Sequence, residues 1–165
     1  MWRVQHLLAL ISLNRTMFPV RLMSESVNIL LVDDDPDIRF LMKLILQKEG
    51  FNVFFAENGR QALEVWQSRP VDLILLDVVM PLLDGFEFCR QFRLLSSIPV
   101  IFLTAMEAEQ DVLKGFEVGG YDYILKPFRL KELLARINSV LRRSLPQMAY
   151  AERLPLQPYY QNMTA

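Results

Sequence analysis

From Val27 onward, short apolar runs alternate with longer amphipathic segments, and this alternation constrains the fold more than any other feature of the sequence. The apolar runs occupy residues 28–32, 52–55, 71–76, 99–103 and 121–125. Runs of this length predict strands, while the segments between them have the apolar spacing of helices. Because strand and helix alternate, we predict an α/β fold in which helices cover both faces of a doubly wound sheet of five parallel strands.

Polar residues mark the predicted helix starts. Each stands just before an apolar periodic segment, where a short side chain can accept hydrogen bonds from the first free backbone amides of a helix. A proline at position 36 adds a favourable first turn to the first helix. The predicted caps are Asp35, Asn58 and Asp84, and the last two helices are expected at about residues 107–118 and 128–143.

Residues with carboxylate, hydroxyl or ammonium side chains stand directly after four of the five predicted strands. In an open parallel sheet, ligands bind outside the carboxyl ends of the strands, so these side chains are expected at one rim. They are Asp33 and Asp34 after the first strand, Asp77 after the third, Thr104 after the fourth and Lys126 after the fifth.

Three converging carboxylates repel each other, so a divalent cation is implied at this rim. Oxygen ligands without histidine or cysteine favour Mg²⁺, with Mn²⁺ as the alternative. Besides the acids, the backbone carbonyl of Val79 is a candidate ligand. Asp77, on the central strand, is the expected nucleophile in a phosphoryl transfer, with Lys126 offsetting charge and the Thr104 hydroxyl donating to a phosphoryl oxygen.

Other acids are expected to have structural duties only. Asp35 is interpreted as a helix cap, Asp84 as a turn and helix start, and Asp72 is expected to face solvent. A competing hypothesis is a Mg²⁺-dependent phosphohydrolase in which Asp33 and Asp35 form an Asp-x-Asp pair. That motif normally has Thr or Val two residues after its second acid, where this chain has Asp37.

Four segments resemble the signature segments of response-regulator receiver domains of the CheY-like superfamily: LLVDDDP (30–36), LLDVVMPLLDG (75–85), PVIFLTA (99–105) and DYILKPF (122–128). The resemblance implies a flavodoxin-like strand order, 2-1-3-4-5, over residues 27–144. It implies a metal held by Asp33 and Asp34, phosphorylation of Asp77 by a histidine kinase or phosphotransfer protein, and contacts from Thr104 and Lys126 to the phosphoryl group. Such a chain accepts phosphate in two-component signalling and is not itself an enzyme.

The resemblance also implies a conformational switch. Tyr123 matches the family's switch aromatic, and the Lys126-Pro127 peptide is expected to be cis. When Asp77 is phosphorylated, Thr104 is expected to move toward the phosphate and Tyr123 to rotate inward. This changes the face formed by the fourth helix, fifth strand and fifth helix.

Two apolar residues stand where rapid hydrolysis of the acyl phosphate would need polar side chains. Val79 and Met106 occupy positions, two beyond Asp77 and two beyond Thr104, that in this family affect how water reaches the acyl phosphate. Because apolar side chains cannot orient an attacking water, we predict slow self-dephosphorylation.

The segment 126–143 is similar to the OmpR-type branch, whose receivers pair through the face formed by the fourth helix, fifth strand and fifth helix. Lys114, Glu132 and Arg136 are candidates for salt bridges across such a homodimer, whereas Tyr121 replaces an acid that is frequent in the branch. The residues after Arg143 are too few for a winged-helix domain, so we expect no direct DNA binding by this chain as it stands. A stand-alone receiver that signals by protein contact and a separated half of a transcriptional regulator both remain open.

The terminal segments carry no recognisable module. Residues 1–26 are interpreted as an N-terminal extension or over-long start, and residues 145–165 as a tail without an output domain. The apolar run 7–13 is too short to span a bilayer and lacks a cleavage site, so no membrane association is expected. The single histidine, His6, makes an internal phosphodonor implausible. A net charge of −1 and a single cysteine, Cys89, fit a cytoplasmic protein.

Overall fold

The structure is a computed structural model that describes residues 26–145. Residues 1–25 of the predicted N-terminal extension, with its apolar run and His6, and nearly all of the predicted tail lie outside the described residues. Strands and helices alternate as β1 (Asn28–Val32), α1 (Pro36–Lys48), β2 (Asn52–Ala56), α2 (Gly59–Ser68), β3 (Leu73–Leu76), α3 (Gly85–Arg93), β4 (Val100–Thr104), α4 (Glu109–Glu117), β5 (Asp122–Leu125) and α5 (Leu130–Ser144).

The five strands form one parallel sheet in the order β2-β1-β3-β4-β5, which confirms the predicted fold class and strand order. β3 is central, with Ile74 paired to Leu30 of β1 and to Val100 of β4. Predicted and observed strand boundaries differ by two residues at most, and the largest difference is the later start of β3 at Leu73.

Two hydrophobic cores cover the two faces of the sheet. Alternate residues of each strand point to opposite faces, so Leu30 belongs to one core and its neighbours Ile29 and Leu31 belong to the other. The first core includes aromatic side chains of α3, and the second includes residues of α1 and α5. β1, β3 and β4 are buried along their whole length, as expected for inner strands of a parallel sheet that is covered on both faces.

The predicted helix caps are confirmed. The Asp35 carboxylate accepts hydrogen bonds from the amides of Asp37 and Ile38, Asn58 caps α2, and Asp84 caps α3. α4 and α5 begin without a side-chain cap. The Lys126-Pro127 peptide is cis, as expected.

The expectation that Asp72 faces solvent was wrong. Its exposed fraction is 4%, and its Oδ2 accepts hydrogen bonds from the Asn28 backbone amide at 2.9 Å and the Asn28 side chain at 3.4 Å. Asn52 donates in turn to Asn28 Oδ1 at 3.1 Å. Asp72 is buried because the amide at the start of β1, which is itself buried, needs an acceptor.

None of the helices in residues 26–145 is long and apolar enough to cross a membrane.

Candidate functional site

The sheet brings the residues predicted at the strand ends to one rim. Asp33 follows β1, Asp77 follows β3, Thr104 ends β4 and Lys126 follows β5. Backbone hydrogen bonds extend the ladder to these positions: the Asp77 amide donates to Val32 at 2.9 Å, and the Lys126 amide donates to Thr104 at 2.8 Å. The side chains therefore project from the hydrogen-bonded carboxyl edge of the sheet.

Three carboxylates converge at this rim. Asp33, Asp34 and Asp77 each offer one oxygen, and these oxygens all lie within 4.8 Å of one another. Asp33 and Asp77 are buried, while Asp34 is exposed. An oxygen-only set of this size, open to solvent on one side, fits Mg²⁺, which keeps several of its waters.

Lys126 contacts two carboxylates of this cluster. Its Nζ donates to Asp33 Oδ2 at 2.8 Å and to Asp77 Oδ2 at 3.0 Å. Burial would lower the pKa of Lys126, but the hydrogen bond and charge of Asp33, together with Asp77, outweigh burial and raise it. Lys126 therefore stays protonated, yet one ammonium offsets only one of three negative charges.

The electrostatics of Asp77 indicate that Lys126 alone does not offset the burial of this carboxylate and its repulsion by Asp33. Burial raises the pKa of the Asp77 carboxyl and the nearby Asp33 raises it further, while Lys126 and the Val79 amide oppose the shift without cancelling it. A divalent cation would favour the ionised form that a nucleophile requires.

Backbone amides orient the two buried acids. The Asp35 amide donates to Asp33 Oδ1 at 2.9 Å, and the Val79 amide donates to Asp77 Oδ1 at 3.2 Å. The second oxygen of each acid contacts Lys126. The Val79 side chain is exposed beside the site, and the metal-binding role of its carbonyl stays a prediction.

Thr104 and Tyr123 meet at the backbone of Met106. The Met106 amide donates to Thr104 Oγ1 at 3.2 Å, and the Tyr123 hydroxyl donates to the Met106 carbonyl at 2.8 Å. Tyr123 is 7% exposed, and burial, then the charges of Asp111 and Asp77, raise its pKa to about 12. The Tyr123 ring is thus already inward in this structure, whereas the resemblance implied an inward rotation that follows phosphorylation of Asp77.

Gly85 is a residue of the site that the sequence suggested only as a helix start. A Cβ at this position would collide with the Asp77 carbonyl oxygen, and the Gly85 amide donates to Val78 at 2.8 Å. The N-terminus of α3 therefore packs directly on the backbone of Asp77. The signal that could have identified it is the Asp84-Gly85 pair, seven and eight residues after Asp77.

Asp35 does not join the acidic cluster. Its carboxylate caps α1, accepting from the Asp37 amide at 2.8 Å. The Asp33 and Asp35 pair that the phosphohydrolase hypothesis needs is therefore divided between the cluster and the helix cap.

The residues predicted to pair across a dimer have partners within the chain. Arg136 donates to Asp122 at 2.9 Å and to Glu132 at 3.1 Å, and Lys114 Nζ lies 4.7 Å from the centre of the Phe86 ring. Any cross-dimer pairing would have to rearrange these contacts.

Comparisons with known proteins agree with this geometry. The family model described as "Response regulator receiver domain" matches residues 29–138. Transcriptional regulatory protein CpxR of Escherichia coli K12 is 47% identical over 116 residues, which cover 70% of this chain and 50% of that protein. Probable transcriptional regulator ycf27 of Cyanidium caldarium is 46% identical over 116 residues, with 70% and 47% covered. The chain thus spans about half the length of the curated relatives it matches.

Solved receiver domains have the same fold. The BeF3-activated N-terminal receiver domain of RstA from Klebsiella pneumoniae has a TM-score of 0.68 and 35% identity, covering 70% of this chain and 98% of that one. The receiver domain of Francisella response regulator 1452 has a TM-score of 0.69 and 30% identity, covering 73% and 100%.

Proposed function

The chain belongs to the response regulator receiver domain family of two-component signalling. From this premise we propose that residues 27–144 form a receiver domain in which Asp77 accepts the phosphoryl group. One observation carries the proposal. Three carboxylate oxygens, from Asp33, Asp34 and Asp77, lie within 4.8 Å of one another, and Lys126 bridges the two buried acids. Such a cluster is costly to build for stability alone, so its charge pattern is best explained by a cation and a phosphoryl group that bind there.

The reaction that fits the geometry is transfer to a carboxylate. A bond forms between an Asp77 oxygen and phosphorus, while the bond from phosphorus to a donor histidine or a small phosphodonor breaks and its electron pair stays with the donor. Lys126 neutralises negative charge at the reacting oxygens, and Thr104 Oγ1 donates to a phosphoryl oxygen. Mg²⁺, held by Asp33, Asp34, Asp77 and the Val79 carbonyl, would neutralise phosphoryl charge.

The conformational response to phosphorylation then passes through the segment that follows β4. In the structure Thr104 Oγ1 accepts a hydrogen bond from the Met106 amide at 3.2 Å. If Oγ1 turns to the phosphoryl group, this hydrogen bond breaks. The Met106 carbonyl accepts a hydrogen bond from the Tyr123 hydroxyl. Movement of Met106 therefore changes the contacts of Tyr123 and of the α4-β5-α5 face.

The chain presents an apolar surface beside the site for a phosphodonor protein. Phe40, Leu41 and Leu44 are exposed on α1, the helix that begins two residues after Asp34. Exposed apolar side chains grouped on one helix face are typical of a protein contact. We propose that a histidine kinase or phosphotransfer protein docks here.

The α4-β5-α5 face is a second proposed contact, between two copies of the chain. Leu113 and Phe116 on α4, and Leu125 at the end of β5, are exposed, and α5 contributes the Arg136–Glu132 ion pair to the same face. A face that combines exposed apolar side chains with charged ones resembles the composition of protein interfaces. Surface ion pairs would fix the register of the pair more than its affinity.

The test is intact-protein mass after incubation with Mg²⁺ and acetyl phosphate. We expect a single added phosphate in the wild type, absent without a divalent cation and absent in Asp77→Asn, which keeps the shape of the side chain. Asp35→Asn is the matched control, because asparagine also caps helices well and this acid lies outside the cluster.

The same variants separate the receiver from the phosphohydrolase. A receiver takes up phosphate stoichiometrically, and Asp35→Asn behaves as wild type. Steady turnover of small phosphate esters that is lost in Asp35→Asn would instead favour the phosphohydrolase.

A further inference from the structure

The ring of Tyr123 lies against a glycine in the middle of α4. A Cβ added at Gly115 would lie 2.9 Å from Tyr123 Cδ2, 3.2 Å from Tyr123 Cε2 and 3.3 Å from Phe102 Cδ2. Gly115 is the one buried residue within α4. The ring therefore occupies space that any other amino acid would fill.

Helix stability does not explain a glycine here. α4 has nine residues and no side-chain N-cap, and a glycine in a helix interior is unfavourable relative to alanine. The φ angle at Gly115 is not positive, so the backbone conformation does not require glycine either. What the missing side chain does provide is the close approach of α4 to β5.

We propose that Gly115 is a positioning residue that forms the socket for the inward Tyr123 ring, and so decides whether the switch can adopt that conformer. This inference rests on the switch role of Tyr123 in the proposed function. The socket has three walls: the Gly115 backbone, the Phe102 ring at 6.0 Å between centroids, and the Met106 carbonyl that accepts from the Tyr123 hydroxyl.

A methyl group at position 115 forces one of two movements. Either the Tyr123 ring leaves the socket, or α4 moves away from β5. Both change the geometry at Met106, where the Tyr123 hydroxyl bond meets the Thr104 contact. The identity of residue 115 thus couples the position of α4 to the phosphorylation site without touching Asp77.

The first experiment measures exposure of the Tyr123 ring in ¹³C-tyrosine-labelled protein, with the signal assigned by Tyr123→Phe. A soluble gadolinium chelate should relax this signal weakly in the wild type and strongly in Gly115→Ala. Glu117→Ala, an exposed change in the same helix, should behave as wild type. A Tyr123 ring that stays as protected in Gly115→Ala as in the wild type would overturn the proposal.

The second experiment separates the socket from a general effect on α4. Gly115→Ala should lower the urea midpoint in the wild-type background but not in Tyr123→Ala, where no ring fills the socket and alanine favours the helix. An equal change in both backgrounds would show that Gly115 does not act through Tyr123.

Neither readout needs phosphate, so the socket and the proposed function can fail separately. Absence of a phosphate adduct in the wild type would refute the proposed function and leave the exposure result intact. In Gly115→Ala we expect the phosphate adduct to form, while the Tyr123 signal stays strongly relaxed with and without phosphate. A return of that signal to wild-type protection on phosphorylation would overturn the proposal.

Discussion

At the residue scale, the site is an arrangement of charges that is unfavourable without a cation. Among residues 26–145, one ammonium, that of Lys126, contacts this group of three carboxylates, and burial together with Asp33 raises the pKa of Asp77. Removing one acid should therefore relieve repulsion while weakening metal binding. Stability and function oppose each other at this point.

Asp34→Asn tests that opposition. Because Asp34 is the exposed member of the cluster, its neutralisation leaves no buried group unpaired. We expect the free energy of unfolding without metal to rise by about 0.5–2 kcal/mol, and the extra stabilisation by Mg²⁺ to shrink sharply. Urea unfolding with and without Mg²⁺ measures both quantities. A variant that is less stable than wild type without metal, or equally stabilised by Mg²⁺, would contradict this account of the cluster.

Val79 and Met106 lead to a prediction about the lifetime of the phosphorylated form. The Val79 side chain is exposed at the site and cannot hydrogen-bond a water. We expect the acyl phosphate to persist for minutes or longer, and Val79→Asn to shorten its lifetime, with Val79→Ala as the apolar control. Loss of the phosphate mass after removal of the donor measures the rate. A wild-type lifetime of seconds would show that something else orients the water.

Single residues also show where sequence reasoning succeeds and where it stops. Parallel strands end at one rim, so the sequence alone is enough to assign positions such as Asp77 and Lys126 to that rim. The burial of Asp72 and the contact between Gly115 and Tyr123 could not be predicted, because each depends on how close neighbouring elements approach. Leu82 likewise has a φ of 73°, a left-handed backbone conformation that the sequence around it does not predict.

At the scale of elements, the opposite rim of the sheet is tied by a polar network. Asp72, just before β3, accepts from Asn28 at the start of β1, and Asn28 accepts from Asn52 at the start of β2. These bonds join three strand starts that are distant in sequence. Capping residues fixed the helix starts locally, whereas this network arises only once the strands are in order.

Replacing Asp72 tests how much the network contributes. In Asp72→Ala the buried Asn28 amide loses its side-chain acceptor, and we expect a loss of about 1–3 kcal/mol in the free energy of unfolding. Asp72→Asn keeps one acceptor oxygen and should lose less. Phosphate uptake should persist in both, because the network is at the far end of the strands. An Asp72→Ala protein as stable as the wild type would show that water replaces the carboxylate.

At the scale of the whole molecule, the only cysteine of the chain reports on opening of the core. Cys89 is fully buried, and burial raises its pKa to about 11, opposed by the charge of Arg93. At neutral pH it has neither access nor thiolate, so a disulfide reagent should react slowly with the folded protein. The reaction should become fast over the same urea range in which circular dichroism reports unfolding. Rapid labelling without denaturant would contradict the packing of α3 against the sheet.

The proposed pairing through α4, β5 and α5 also belongs to this scale. We expect phosphorylation to increase the dimer fraction in sedimentation, and Phe116→Ser to prevent this increase without blocking phosphate uptake. Leu94→Ser is the control, because Leu94 is an exposed leucine outside this face. Equal dimerisation of Phe116→Ser and wild type would place the interface elsewhere.

The central claim is that Asp77 carries the phosphate, and reduction of the phosphorylated protein with borohydride tests it most directly. An acyl phosphate on an aspartate is reduced to homoserine, which peptide mass spectrometry locates. We predict homoserine at position 77 only, and only after incubation with Mg²⁺ and a phosphodonor. Homoserine at position 33 or 34, or none in a protein that has gained phosphate, would contradict the assignment of Asp77 as the acceptor.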